Sequence, residues 1–150
     1  MRTIVQRVSS ADVTVDGKVV GQIGLGLLAY VGVQVGDTDA DARTTARKIV
    51  ELRLFPARTP MDLDVRGVGG AVLLISQFTL LASIRSGRRP SFDAAMEPVA
   101  ARALYEKVCA AVGEAGVPIA KGSFGAHMLV RSVGDGPVTI AVNTLDGALI

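Results

Sequence analysis

Two stretches of this chain, Val19 to Gly36 and Gly67 to Ile84, carry no charged residue at all. Each is long enough to cross a bilayer as a helix, so the sequence forces a choice between a membrane and a protein core. Content decides for the core. The first stretch holds Gln22, Gln34 and the glycines at 21, 24, 26, 32 and 36, and the second holds Ser76, Gln77, Thr79 and Ser83. Both are expected as short buried strands joined by glycine turns, since a strand covered on both faces reads as an unbroken apolar run. A soluble protein without a membrane partner follows.

The flanking segments keep strands in the majority. Thr3 to Val8 and Ala11 to Val15 alternate β-branched and polar residues and predict two strands. Asp16-Gly17, followed by Lys18 to Ile23, predicts a two-residue hairpin, because both residues tolerate the positive φ of a type I′ turn. Leu25 to Val33 predicts a buried fourth strand. Thr38 is the expected cap of a helix with Asp39 and Asp41 in its first turn, running to Phe55-Pro56. Ala57 to Gly70 reads as a loop with a short strand around Leu63, Ala71 to Leu81 as a strand, and Ala82 to Pro90 as a basic loop. Ser91 is expected to cap a second helical region that breaks near Pro98 and ends by Gly113. Val117 to Lys121, Met128 to Ser132 and Val138 to Val142 predict three final strands.

The order ββββ-α-β-α-βββ implies a mixed α/β fold: a β-rich sheet or partly closed barrel covered by two helical regions. At 150 residues and 15.5 kDa, one domain over residues 1–150 is expected. A hydrophobic content of 49%, a charged content of 20% and a mean hydropathy of +0.42 exclude a disordered or collagen-like chain, and leave apolar surface for a subunit interface. Gly21, Gly24 and Gly26 could suggest a phosphate-binding loop, but they lie within a run of strands and open no helix, so the dinucleotide fingerprint is absent and they read as turn glycines.

Chemistry is bounded by scarcity. The single Cys109 cannot close a disulfide within the chain, and no secretory leader is visible, which points to a reducing cytoplasm. One histidine, His127, and one cysteine cannot build a zinc cage, and a Ser-His or Cys-His pair would have to use His127 as its base. No metal ligand set and no cofactor is expected. His127 reads as a hydrogen-bonding side chain and Cys109 as a small core residue.

Three segments remain. In Ser76-Gln77-Phe78-Thr79-Leu80 an amide and two hydroxyls interrupt a buried run, where an unpaired polar group costs on the order of 1–3 kcal/mol. They either satisfy one another or face a pocket. Arg85, Arg88 and Arg89 crowd one glycine-containing loop, which is either a phosphate clamp built from planar donor forks or a solvated loop. With a net charge of only +2, any nucleic-acid binding would be local, and the few aromatics do not suggest base reading. Gly134 to Thr139 is a turn before the last strand, and its Gly136-Pro137 bond is of the kind where a cis peptide costs least.

Together these segments resemble one family, the D-aminoacyl-tRNA deacylases of the bacterial and eukaryotic type. The resemblance covers essentially the whole chain, from Met1-Arg2 and Gln6-Arg7-Val8-Ser9 through Gly67 to Gly70. It is densest in Ser76 to Leu80, Gly87 to Phe92, Phe124-Gly125-Ala126 with Met128, and Asp135 to Thr139. It implies that fold and a homodimer acting on the acceptor end of aminoacyl-tRNA, without an obligatory metal. The reaction implied is hydrolysis of the ester of a D-amino acid, or of glycine mischarged on the alanine tRNA. Ser76, Gln77, Phe78 and Thr79 would form the catalytic strand. Gly136 and Pro137, with Phe124, Gly125 and Met128, would bind substrate, and the Gly-cisPro carbonyls would fill the space an L side chain needs in the partner's site. Arg85, Arg88 and Arg89 would contact tRNA phosphates. An aminoacyl ester is already activated, so positioning and backbone N–H donors can suffice without a triad, and Thr79 is read as a positioning group. Glycine, with no side chain to clash, should be admitted. The pattern departs at His127, where the family usually has an acidic residue, and at Gly134, where it has asparagine. Two other readings compete: a non-catalytic tRNA-binding module, and a small-molecule esterase with Thr79 as nucleophile.

Overall fold

The computed structural model describes residues 1–150. Its elements are β1 (Arg2–Val15), β2 (Lys18–Ile23), β3 (Gly26–Gly32), α1 (Asp39–Glu51), β4 (Ala71–Ser76), a 3-10 turn (Phe78–Leu81), α2 (Pro98–Glu114), β5 (Ile119–Lys121), β6 (Leu129–Leu145) and β7 (Ala148–Leu149). The sheet has seven strands in the order β5-β4-β3-β1-β6-β7, with β2 paired to β1 off that path. β3, β4 and β5 are parallel and the remaining pairs antiparallel. β1 pairs with β3 over Arg2 to Val8 and with β2 over Ala11 to Val15, while β6 runs along its other edge. The result is a curled half-barrel sheet with two helices, the mixed α/β architecture expected from the element order.

Burial on both faces explains the β3 and β4 parts of the uncharged runs, whereas β2, expected as a buried strand, is an edge strand with Val19 and Val20 exposed. Leu27, Ala29, Val31, Val72 and Leu74 turn toward the helices, where they meet Ala42, Ala46, Ile49 and Val50 of α1 and Leu104, Tyr105, Val108 and Val112 of α2. Leu28, Leu73 and Ile75 alternate to the other face and pack with Val8, Ala11 and Val13. No helix is long and apolar enough to cross a membrane.

Several local signals hold. Asp16 and Gly17 adopt φ of 49° and 77°, the two positive values of a type I′ hairpin. Thr38 caps α1, with its backbone N–H and its hydroxyl both donating to Asp41 Oδ2 at 3.0 Å. The Leu63 strand is a single antiparallel bridge to Phe55.

Other expectations need correction. The first two strands are one continuous strand, and the last two are continuous as β6, because their interruptions are bulges against neighbouring strands. Between the pairs Gln6–Thr139 and Val8–Gly134, Arg7 alone faces Asp135 to Val138. α1 ends at Glu51, before Pro56, since Leu54 and Phe55 leave the helix for the core. β4 ends at Ser76. Gln77 N–H still donates to Val31 O at 2.8 Å, and the chain then turns into the 3-10 segment. Gly32 permits that turn, since a Cβ there would lie 2.5 Å from Leu81 Cδ2 and 2.9 Å from Gln77 O. Ser91 caps nothing. It exchanges backbone hydrogen bonds with Ser83 at 2.8 and 3.0 Å, and Glu97 caps α2 by accepting from Val99 and Ala100 N–H.

Candidate active site

β4 is the middle of the three parallel strands, and its carboxyl end opens into a cleft of about 610 Å³. Ligands of open α/β sheets bind at such strand ends. Ser76, Gln77 and Phe78 line it together with Phe124, Gly125, His127 and Met128. Val33, Ile75, Met96 and Ala101 make the apolar floor. The loop of Ala94 and Met96 is held beside β3 by hydrogen bonds of 3.0 Å from Val35 N–H to Ala94 O and from Met96 N–H to Val33 O. Gly122 makes room for Met128, because a Cβ there would sit 2.6 Å from its Sδ. The Tyr105 hydroxyl donates to Leu74 O at 2.9 Å and its ring packs on Phe124, tying the cleft wall to the core.

Of the predicted catalytic residues, Ser76, Gln77 and Phe78 line the cleft, and Thr79 does not. Thr79 is connected to it through Gln77, whose amide donates to the Thr79 hydroxyl. The Thr79 hydroxyl accepts that bond and keeps its own proton to donate. The first N–H groups of the 3-10 turn, at Phe78 and Thr79, have no acceptor within the turn itself. Glu97 reaches the cleft lining, but its carboxylate is engaged by the α2 N-terminus. No three His, Cys, Asp or Glu side chains gather as a metal-holding group. Cys109 is buried in the main core, where burial pushes its thiol up to about 11 against the opposing pull of the Tyr105 hydroxyl.

The predicted filter lies elsewhere on the chain. Gly136 and Pro137 are exposed, are joined by a cis peptide and do not line this chain's own cleft. They crown the β6 bulge, and Arg7 anchors it: its Nε donates to Asp135 O at 2.9 Å and its Nη1 to Leu54 O at 2.5 Å, and it pairs with Asp135 Oδ2 at 3.2 Å. Arg7 is the principal polar residue that sequence reading did not assign. Its signal is faint, a cation between the buried Val5 and Val8 of β1. Arg85, Arg88 and Arg89 stand exposed and without ion pairs on the loop closed by Ser83 and Ser91. That loop abuts the cleft through Phe92, whose ring meets Phe78 edge-on at 5.0 Å. The arginines flank the cleft without lining it.

Fold and site define a class: a curled mixed sheet with an aromatic-walled cleft whose polar lining is Ser76, Gln77, Glu97 and His127. The sequence matches the D-Tyr-tRNA(Tyr) deacylase family model over residues 4–143. The D-aminoacyl-tRNA deacylase of Anaeromyxobacter dehalogenans (strain 2CP-C) is 51% identical over 145 residues, covering 96% of this chain and 97% of its own. That of Heliobacterium modesticaldum (strain ATCC 51547 / Ice1) is 48% identical over 148 residues, covering 98% and 99%. The solved structure of c-Myc DNA Unwinding Element Binding Protein superposes with a TM-score of 0.91 at 34% identity, covering 97% of this chain and 99% of that one. A probable eukaryotic D-amino acid tRNA deacylase gives 0.80 at 18% identity and bears on the fold alone. The chain belongs to the D-aminoacyl-tRNA deacylase family of hydrolases.

Proposed function

We propose that the protein hydrolyses the ester joining a D-amino acid, or glycine, to the terminal adenosine of tRNA. A water oxygen attacks the ester carbonyl, the bond to the ribose oxygen breaks, and that oxygen takes up a proton to give free tRNA and the free amino acid. The observation that carries this reading is the cleft at the end of β4, which pairs an aromatic and apolar lining with the Gln77 amide and with Phe78, whose N–H opens the 3-10 turn. Such donors suit a developing oxyanion on an activated ester and require no side-chain base.

The same proposal gives Thr79, through Gln77, the task of fixing the polar edge. It gives Gly136 and Pro137 the task of rejecting L-aminoacyl groups in the cleft of a second copy, since they are exposed and do not line their own. A two-fold dimer would make that exchange reciprocal. Leu129 and Val133 on β6 and Val19 on β2 are exposed apolar side chains that such an interface could cover. Arg85, Arg88 and Arg89, free of carboxylates, are assigned to tRNA phosphates.

The test is release of the acyl group from D-tyrosyl-tRNA and glycyl-tRNA by the purified protein, with and without a chelator. Release from both that chelator leaves unchanged is expected. Salt-sensitive binding of tRNA with no release would instead identify a non-catalytic binding module on the same scaffold.

A further inference from the structure

A second groove of about 500 Å³ shares Phe124 with the candidate cleft. Arg102 of α2, Lys121 of β5 and Ser123 line it together with Phe124. The charges there are not equivalent. Lys121 Nζ is bound to Glu106 Oε2 at 2.6 Å, which leaves that pair neutral. Arg102 forms no ion pair, is exposed, and holds its guanidinium carbon 6.0 Å from the Phe124 ring centroid. The groove therefore carries one uncommitted cation, with a planar donor fork, at the ring that forms the cleft wall. Arginine in such a position suits a phosphodiester, because the fork matches two phosphate oxygens while the aromatic face restrains the side chain.

We propose that the Arg102 groove holds a backbone phosphate of the single-stranded RNA end that enters the Phe124 cleft. This rests on the proposed deacylase function and adds a binding site to it. The cleft is then flanked by cations on both sides, with the arginine loop beyond Phe78 and Arg102 beyond Phe124. The terminal adenosine and its acyl group lie between them, and the strand leaves over Arg102.

The test compares wild-type protein with Arg102→Ala and Arg102→Lys. Arg102 is exposed on a helix, where alanine is well tolerated, and a thermal melt confirms that each variant is folded. Two probes are used: fluorescein-labelled single-stranded RNA of four nucleotides with the tRNA 3′ sequence, and kinetics on D-tyrosyl-tRNA beside D-tyrosyl-adenosine, which has no phosphate. Arg102→Ala is expected to weaken RNA binding about tenfold. It should reduce the slope of log affinity against log salt by about 0.7, the share of one single-strand phosphate. KM should rise on the tRNA with kcat unchanged, the nucleoside ester should be turned over as by wild type, and lysine should restore most of the salt slope. Unaltered RNA binding by Arg102→Ala overturns the proposal, as does an equal loss on the nucleoside ester, which would mean that Arg102 acts by packing Phe124. A wild type that binds the RNA through Arg102 but releases no acyl group overturns the deacylase reading and leaves the phosphate site standing.

Discussion

Replacing Arg7 by methionine keeps the aliphatic stem that packs in β1 and removes the guanidinium that ties the Asp135 to Val138 bulge to the rest of the fold. Two hydrogen bonds disappear, to Asp135 O and Leu54 O. Hydrogen bonds from a charged donor contribute about 1.5–3 kcal/mol each. The Arg7–Asp135 ion pair adds little, since the Asp135 carboxylate is 46% exposed and screened by water. The expected loss is about 3 kcal/mol, or a melting temperature lower by roughly 6–12 °C for a chain of this size. Urea denaturation of wild type, Arg7→Met and Asp135→Ala measures it. Asp135→Ala removes only the exposed carboxylate and leaves both carbonyl bonds, so it should cost under about 1 kcal/mol. If Arg7→Met costs as little as Asp135→Ala, the guanidinium does not hold the bulge and this reasoning is wrong.

Other outcomes follow from the same geometry. The Met1 ammonium and Asp37 form a buried pair at 2.7 Å with side-chain exposures of 0% and 1%, so Asp37→Asn should destabilise the fold by about 3 kcal/mol in a thermal melt. Burial pushes the Asp41 carboxyl up, but hydrogen bonds from Gly147, Thr38 and Thr144 outweigh it and hold it at about 2, below its usual 3.8. Its folded-state value is lowered, so its contribution of about 2 kcal/mol is complete above pH 3.8 and is lost as the pH falls toward 2, and acid titration of Asp41→Asn should lack that part of the decline. Gly136 sits at φ +147°, and an added Cβ would approach Val138 N to 2.4 Å. Gly136→Ala should therefore displace the projecting carbonyls and lower the ratio of D- to L-tyrosyl-tRNA hydrolysis, whereas an unchanged ratio would remove this segment from the filter.

What the sequence revealed depended on whether the determining contacts were local. The Asp16-Gly17 hairpin and the Thr38 cap need only adjacent residues, and both form as read. The uncharged runs mark β3 and β4 as strands buried on two faces, because a period-2 strand shows polar alternation only when one face is wet, but they give the same signal for β2, whose Val19 and Val20 are exposed. Ser91 carried the same capping signal as Thr38, but it pairs with Ser83 across the basic loop, a tertiary contact that no window contains. The continuity of β6 was hidden for a related reason: Gly136 and Pro137 suggest a chain break, while pairing with β1 on both sides carries the strand past them. At the site, Ser76, Gln77 and Phe78 were visible as polar or aromatic interruptions of an apolar run. Met96, Val33 and Ala101 were not, since apolar residues that line a cleft look like any others. Arg102 was hidden as an ordinary helix-surface charge until the fold placed it over Phe124.

The most direct measurement is the single-turnover rate of acyl release from D-tyrosyl-tRNA beside L-tyrosyl-tRNA, at equal concentrations and fixed salt. Rapid release from the D form with the L form spared is the result that the proposed cleft chemistry and the proposed Gly136-Pro137 filter predict. Equal release from both would leave an ester hydrolase and contradict the chiral filter.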